Sequence, residues 1–220
     1  MNVFLRVWVR ARDVGYVGGC VTIGGINKRV LELGAGTGLL GMLASRLGAR
    51  CAALTDGDDV AVELLQRNLD SASNRIDGTK ARARRLLWGN DDNDDVVVRE
   101  EDRSDAFEGW CREAWPDVWS PDEAVSFDYV LAGDVMYKEG LPRLFFETAR
   151  RFLKRGGDGT AALLLCHVPR STVSQEVVRD AAEEAGFVII EVSTDLRDLP
   201  EGCVREDAER AAIYRVTHKV

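Results

Sequence analysis

Seven short apolar runs, most of them separated by longer amphipathic stretches, constrain what this chain can fold into. The runs are RVLEL (29–33), RCAALT (50–55), ARRLLW (83–88), FDYVLA (127–132), TAALLLC (160–166), FVIIEVS (187–193) and AAIYRVTH (211–218). Most are close to continuously apolar, which is the pattern of strands buried on both faces of a parallel sheet. Helical periodicity fills 38–47, 58–73, 141–155 and 172–185. The third of these is punctuated by Pro142 in its first turn and by Gly156-Gly157 after Lys154-Arg155, as helix starts and stops require. Strands alternating with helices predict an α/β fold: a seven-stranded, mostly parallel sheet with helices on both faces. The last two runs have no helix between them, so the last strand is expected to be antiparallel.

A chain of 220 residues is long enough for one well-buried domain and short for two. The longest apolar run of its C-terminal half, AALLLC at 161–166, has the length of a strand and not of a membrane span. Arg6, Arg10 and Arg12 interrupt the N-terminal stretch, which argues against a signal peptide. A cytoplasmic location, with the nucleus as a further one, and no membrane partner are therefore expected. Cys20, Cys51, Cys111, Cys166 and Cys203 are scattered singly, and only His167 and His218 join them. Neither a disulfide framework nor a protein-bound metal is expected.

Residues 90–126 hold 13 acidic side chains against 3 arginines, a local charge of -10 where the whole chain carries -8. One segment accounts for the acidity, and the chain has no basic excess to follow a nucleic-acid backbone. The first third of that segment reads as a solvated loop, and the second half as a short helix with a turn at Pro116. Trp110, Trp115 and Trp119 need burial, against this domain or against a partner.

The stretch VLELGAGTGLLG (30–41) carries the clearest local chemistry. A strand ends at Leu33, Gly34, Gly36 and Gly38 follow, and an apolar helix starts at once. Glycines at such a junction let the backbone approach a ligand, and the helix start offers N–H donors. GTGLLG also satisfies the GxGxxG dinucleotide pattern, but Gly36 comes two residues too late to close the strand. Glu32 lies two residues ahead of the first glycine, where a pyrophosphate would be repelled and a cationic ligand welcomed. Close helix–sheet packing alone is the alternative for the glycines, and a helix-dipole partner the alternative for Glu32.

ELGAGTG resembles motif I of class I S-adenosylmethionine-dependent methyltransferases, and further motifs follow in that family's order. LTDGDD (54–59) resembles the end of strand two, LLWGN (86–90) the end of strand three, and FDYVLAGDVMY (127–137) the Asp-x-x-Tyr motif of methyltransferase family 16. The resemblance covers roughly residues 28–193. It implies a Rossmann-like sheet, S-adenosylmethionine as cofactor, and transfer to the lysine ε-amine of a non-histone protein. It further implies a cofactor set of Trp8, Glu32, Gly34, Ala35, Gly36, Thr37, Gly38, Asp56, Gly57, Trp88 and Ala132. Asp56 would accept the ribose hydroxyls and Trp88 would flank the adenine. Asp134 and Tyr137 would be the catalytic pair that receives the substrate amine.

The residues leave other roles open. Asp56 is also placed to cap the helix that starts near Asp58, Trp88 to be a core aromatic, and Tyr137 to be a packing residue. Asp134 is a remote candidate for capping the helix at LPRLFF, and His167 and Arg170, on the same sheet edge, are open to substrate contact or to a plain loop role. Residues 1–27 are expected to form an N-terminal segment or partial lid, and 28–220 the domain with its acidic insertion. That insertion would dock a basic, lysine-presenting protein, with the chain itself monomeric. The competing functions are a small-molecule methyltransferase, a non-catalytic cofactor-binding module and, weakest, a nicotinamide-dependent enzyme.

Overall fold

The strands form as β1 (Arg29–Leu33), β2 (Cys51–Asp56), β3 (Ala81–Arg85), β4 (Tyr129–Gly133), β5 (Ala162–His167), β6 (Phe187–Val192) and β7 (Ala212–His218). The helices are α1 (Leu39–Arg46), α2 (Asp59–Asp70), α3 (Ser104–Ala114), α4 (Leu141–Phe152) and α5 (Gln175–Glu184). This computed structural model describes residues 27–71, 81–89, 103–155, 160–192 and 209–219. Trp8, the proposed lid and the first third of the acidic segment lie outside the described residues.

The sheet runs β3-β2-β1-β4-β5-β7-β6. β1 to β5 pair in parallel, and β7 slots between β5 and β6 antiparallel to both. The chain leaves β1 toward β2 and β3 on one side and returns to β4 on the other. The carboxyl ends of β1 and β4 thus flank the switch point, where open α/β sheets form a crevice.

β3 begins two residues before the apolar run suggested and stops before LLW. It is an edge strand aligned with Ala52–Asp56 of β2, so its alternating ARARR needs only half its side chains covered. The apolar LLW forms the loop that follows. α5 starts at Gln175 and not near 172, because Ser174 caps it by accepting from Val177 N–H, and a turn that pairs Arg170 with Val173 comes before it.

Alternation along the strands splits the core in two. Leu31, Leu33, Ala53, Val130, Leu163 and Tyr214 face Phe107, Phe145, Phe146, Phe152 and Val178 of α3, α4 and α5. Val30, Leu54, Leu131 and Leu164 face Leu40 and Ala44 of α1 and Leu65 of α2. Glu32 shares the parity of Val30 and so points to the α1 side.

The later part of the acidic segment belongs to the packed domain. α3 supplies the crossover that a parallel connection from β3 to β4 requires, with Phe107 and Cys111 buried and its acidic residues turned outward. Trp115 and Trp119 are buried, and an edge-on series runs Trp110, Trp115, Trp119, Phe127 at 5.4, 6.3 and 5.5 Å. Trp119 Nε1 donates to the Ser126 carbonyl at 3.1 Å, and the Arg29 guanidinium lies 5.7 Å over its ring. Packing against the domain, and not a partner, accounts for these tryptophans.

Arg29 also bridges Glu123 at 2.6 Å, but the Glu123 side chain is 40% exposed. An ion pair in that setting contributes about 0–1 kcal/mol, so the aromatic series is the stronger tie. Trp119→Ala should lower the unfolding free energy by about 3–5 kcal/mol. Urea denaturation measures this, and a loss under 1 kcal/mol would show that the segment is held by its charges instead.

Candidate functional site

The site grows from the β1–α1 junction. Gly34, Gly36 and Gly38 all take positive φ (67°, 52° and 81°), which side chains resist. A Cβ on Gly34 would come 2.7 Å from Val135 and 3.1 Å from Trp88, and one on Gly38 would come 2.5 Å from Leu65. At Gly36 a Cβ would meet nothing within 4 Å, so the middle of the loop looks onto open space. Close packing therefore explains Gly34 and Gly38 but not the openness above Gly36.

Asp56, at the end of β2, accepts from Gly36 N–H at 2.9 Å through Oδ2 and from Asp58 N–H at 3.1 Å through Oδ1. The cap of α2 is Asp58, which accepts from Val60 and Ala61. Asp56 is thereby released from that role and set against the glycine loop. Ala35 N–H donates to the Thr55 carbonyl at 2.8 Å, tying loop and strand together. Thr37 is exposed, and its carbonyl accepts from Asn68. Gly57 accepts through its carbonyl from Arg85 at 3.0 Å. Ala132 is fully buried in the core beneath.

Glu32 is 3% exposed and accepts from Gly41 N–H at 2.8 Å through Oε2. Burial pushes its carboxyl up to about 8, opposed by the amides of Gly41 and Leu40. Amide donors of the first turn of α1 thus stand where a cationic ligand was expected. Gly41 is part of this arrangement, since a Cβ there would lie 2.6 Å from Leu54 and 2.7 Å from the Glu32 carboxylate. Its signal in the sequence was the last glycine of GTGLLG.

Trp88 follows β3. Its ring meets Phe145 of α4 edge-on at 5.2 Å, its other flank borders Gly34, and its Nε1 is buried with no partner among the described residues. It is both a core aromatic and a wall of the loop. Val135, which the sequence analysis missed, closes the other wall.

Asp134 leaves β4 at φ 56°, with its N–H donating to the Cys166 carbonyl at 2.8 Å. Its neighbour Val135 borders Gly34, so the turn after β4 lies beside the glycine loop, while the carboxylate itself is directed to Arg170. It does not cap α4, whose N-cap is Gly140. Oδ2 accepts from Arg170 Nη2 at 2.6 Å, with both side chains about two-fifths exposed. Tyr137 is 53% exposed, with the Lys138 ammonium 5.8 Å over its ring, so it is not a packing residue. Asp56, Trp88, the glycine loop and Asp134 converge at the switch point.

Residues 22–103 match the family model described as lysine methyltransferase, which bears out the motif resemblance over those residues; Asp134 and Tyr137 lie beyond them. The chain is 37% identical over 63 residues to a calmodulin-lysine N-methyltransferase from Arabidopsis thaliana, covering 28% of this chain and 21% of that protein. It is 29% identical over 113 residues to protein N-lysine methyltransferase METTL21A from Xenopus tropicalis, covering 51% of this chain and 38% of that protein. The matches thus span well under half of these relatives' length. The fold is that of the Rossmann-like methyltransferases. It aligns with magnesium protoporphyrin IX methyltransferase from Synechocystis PCC 6803 at TM-score 0.53 and 12% identity, over 99% of this chain and 92% of that one. It aligns also with a TehB-like S-adenosylmethionine-dependent methyltransferase from Corynebacterium glutamicum at 0.53 and 14%, over 97% and 88%.

Because burial raises the Glu32 carboxyl, its ionisation opposes folding. The cost is absent below about pH 4.5, grows as pH rises and is complete above about pH 8. Glu32→Gln should therefore gain stability relative to the parent between pH 5 and pH 8, by of order 1–4 kcal/mol. Urea denaturation at the two pH values checks the sign, and a gap that stays constant would contradict it.

Proposed function

We propose that this chain transfers a methyl group from S-adenosylmethionine to the lysine ε-amine of a non-histone protein. The observation that carries the proposal is an open glycine loop, backed by Asp56, bordered by the turn after β4 that presents a half-exposed carboxylate at Asp134. The lysine methyltransferase match over 22–103 supports it.

The residues fit the cofactor. Open space above Gly36 beside the Asp56 carboxylate suits a ribose edge, and the unpartnered Trp88 Nε1 offers a buried donor at the wall. Gly34, Ala35, Gly36, Thr37, Gly38, Asp56, Gly57 and Trp88 would hold it, with Glu32 shaping the loop from below and Ala132 supporting it from the core. When bound, S-adenosylmethionine supplies a sulfonium methyl group open to in-line displacement by a neutral amine.

What remains for the chain is positioning, which supplies most of the catalysis in such a displacement. Asp134 would accept an N–H of the lysine amine and aim its lone pair at the loop. Tyr137, exposed beside it, would wall the channel that admits the lysine. The amine must arrive neutral, although a free lysine has a pKa of about 10.4, which at pH 7 costs about 4.6 kcal/mol. A desolvating crevice and neighbouring positive charge lower that cost. The acidic stretch ahead of α3 supports a protein substrate with a basic surface.

The test is transfer of radiolabelled methyl from S-adenosylmethionine into lysate proteins. Asp134→Ala should cut protein labelling by more than about 100-fold and leave cofactor affinity, measured by calorimetry, within a few fold. Asp56→Ala should weaken the cofactor by about 1.5–3 kcal/mol for each charge-assisted hydrogen bond lost. Label confined to small metabolites would turn the assignment to a small-molecule methyltransferase. Parent-like behaviour of both variants would refute the site.

A further inference from the structure

The loop CHVPRSTV (166–173) carries a cation into the crevice, and its backbone is fastened at several points. Arg170 N–H donates to the Val173 carbonyl at 3.0 Å, and Val173 N–H returns the bond at 3.2 Å. His167 is fully buried and its Nε2, the protonated nitrogen because its partner is a carbonyl, donates to the same Val173 carbonyl at 3.1 Å. Arg210 Nη2 donates to the Pro169 carbonyl at 2.9 Å. The other member of the pair is fixed as well, since the Asp134 N–H is bonded to the Cys166 carbonyl. Two fastened backbones, tied to each other at Cys166, therefore set the Arg170–Asp134 contact.

The contact joins one nitrogen to one oxygen, Nη2 to Oδ2 at 2.6 Å. Asp134 Oδ1 accepts no hydrogen bond from the described residues. A lone carboxylate would hold an approaching lysine as its ammonium, raising its pKa by about 1–3 units. A carboxylate already neutralised by a guanidinium keeps its acceptor lone pair without that net charge.

On the lysine-methyltransferase assignment, we propose that Arg170 is a positioning residue that occupies Oδ2 so that Asp134 Oδ1 orients the substrate amine without trapping its proton. The ammonium gives that proton to water before transfer, and the neutral nitrogen then takes the methyl group. Among the described residues, the titratable and charged groups on the elements around Asp134 are Cys166 and His167 of β5, Arg170 with Arg210 behind its loop, and Tyr137, Lys138 and Glu139 on the loop after β4. Burial pushes the Cys166 thiol up to about 12 and His167 below the usual imidazole range. Neither changes charge in the window where a lysine is released from its ammonium form.

The experiment is the pH profile, from 6.5 to 10.5, of methyl transfer from radiolabelled S-adenosylmethionine to lysate protein at limiting dilution. Parent, Arg170→Gln and Arg170→Lys are compared, with cofactor affinity measured by calorimetry at each pH. Arg170→Gln should move the ascending limb up by about one unit. Its rate would then be about tenfold below the parent at pH 7.5 and close to it at pH 10.5, with cofactor affinity within twofold. Arg170→Lys should return the limb to within half a unit of the parent. An unmoved limb, a downward shift, a pH-independent loss or a faster Arg170→Gln at every pH each overturns the proposal. The last outcome would make Arg170 a plain obstruction. No protein labelling by the parent at any pH fails the lysine-methyltransferase assignment itself, a result distinct from all of these.

Discussion

The closeness of the α1 backbone to its neighbours is the constraint on which the rest of this molecule depends. Gly38 and Gly41 leave no room for a Cβ beside Leu54, Leu65 and the Glu32 carboxylate. Helix α1 therefore lies directly on β1 and β2, and its first-turn amide reaches a carboxylate in the sheet. Without that approach the loop from Gly34 to Gly38 would not face the switch point, and Asp56 would have no amide of Gly36 to hold. Helix packing and ligand geometry are one arrangement here, so a substitution at Gly41 disturbs both.

The two faces of the sheet divide the labour. On the α1 side small residues such as Ala44, Ala49 and Ala52 permit close approach. On the other side bulky aromatics of α3, α4 and the Trp119 segment fill the space between sheet and helices. Burial of an aromatic side chain outweighs a half-exposed ion pair by several-fold. The acidic residues near Arg29 thus orient the segment, while its tryptophans hold it.

Much of this was legible in the sequence because it rests on local pattern. Continuous apolar runs gave six strands to within about two residues of their ends, and the glycine spacing located the loop. β3 was misplaced because an edge strand needs no continuous apolar run, and LLW outweighed ARARR. The partners of Glu32 and Asp134 were not legible for a different reason. Gly41 is nine residues from Glu32, and Arg170 is 36 from Asp134. Such contacts depend on helix approach and strand order, which no residue pattern states. The sequence did signal that Glu32 needed a partner, since a lone charge inside an apolar strand is costly.

Asp134 suits its position for a reason of backbone as well as of charge. β4 must end abruptly, because α4 starts only after Gly140 and the loop between them has to clear the crevice. The turn is made at φ 56°, a region that aspartate and asparagine enter at lower cost than most residues. Strain of this kind persists where its surroundings hold it, and the Cys166 carbonyl does so through the Asp134 amide. The left-handed backbone aims a short side chain across the mouth of the sheet toward β5, where Arg170 meets it. A glutamate would place its carboxylate about a bond length farther out and adopt this φ less readily. Asparagine would keep the turn and lose the charge, so conformation alone does not account for aspartate here; its pairing with Arg170 does.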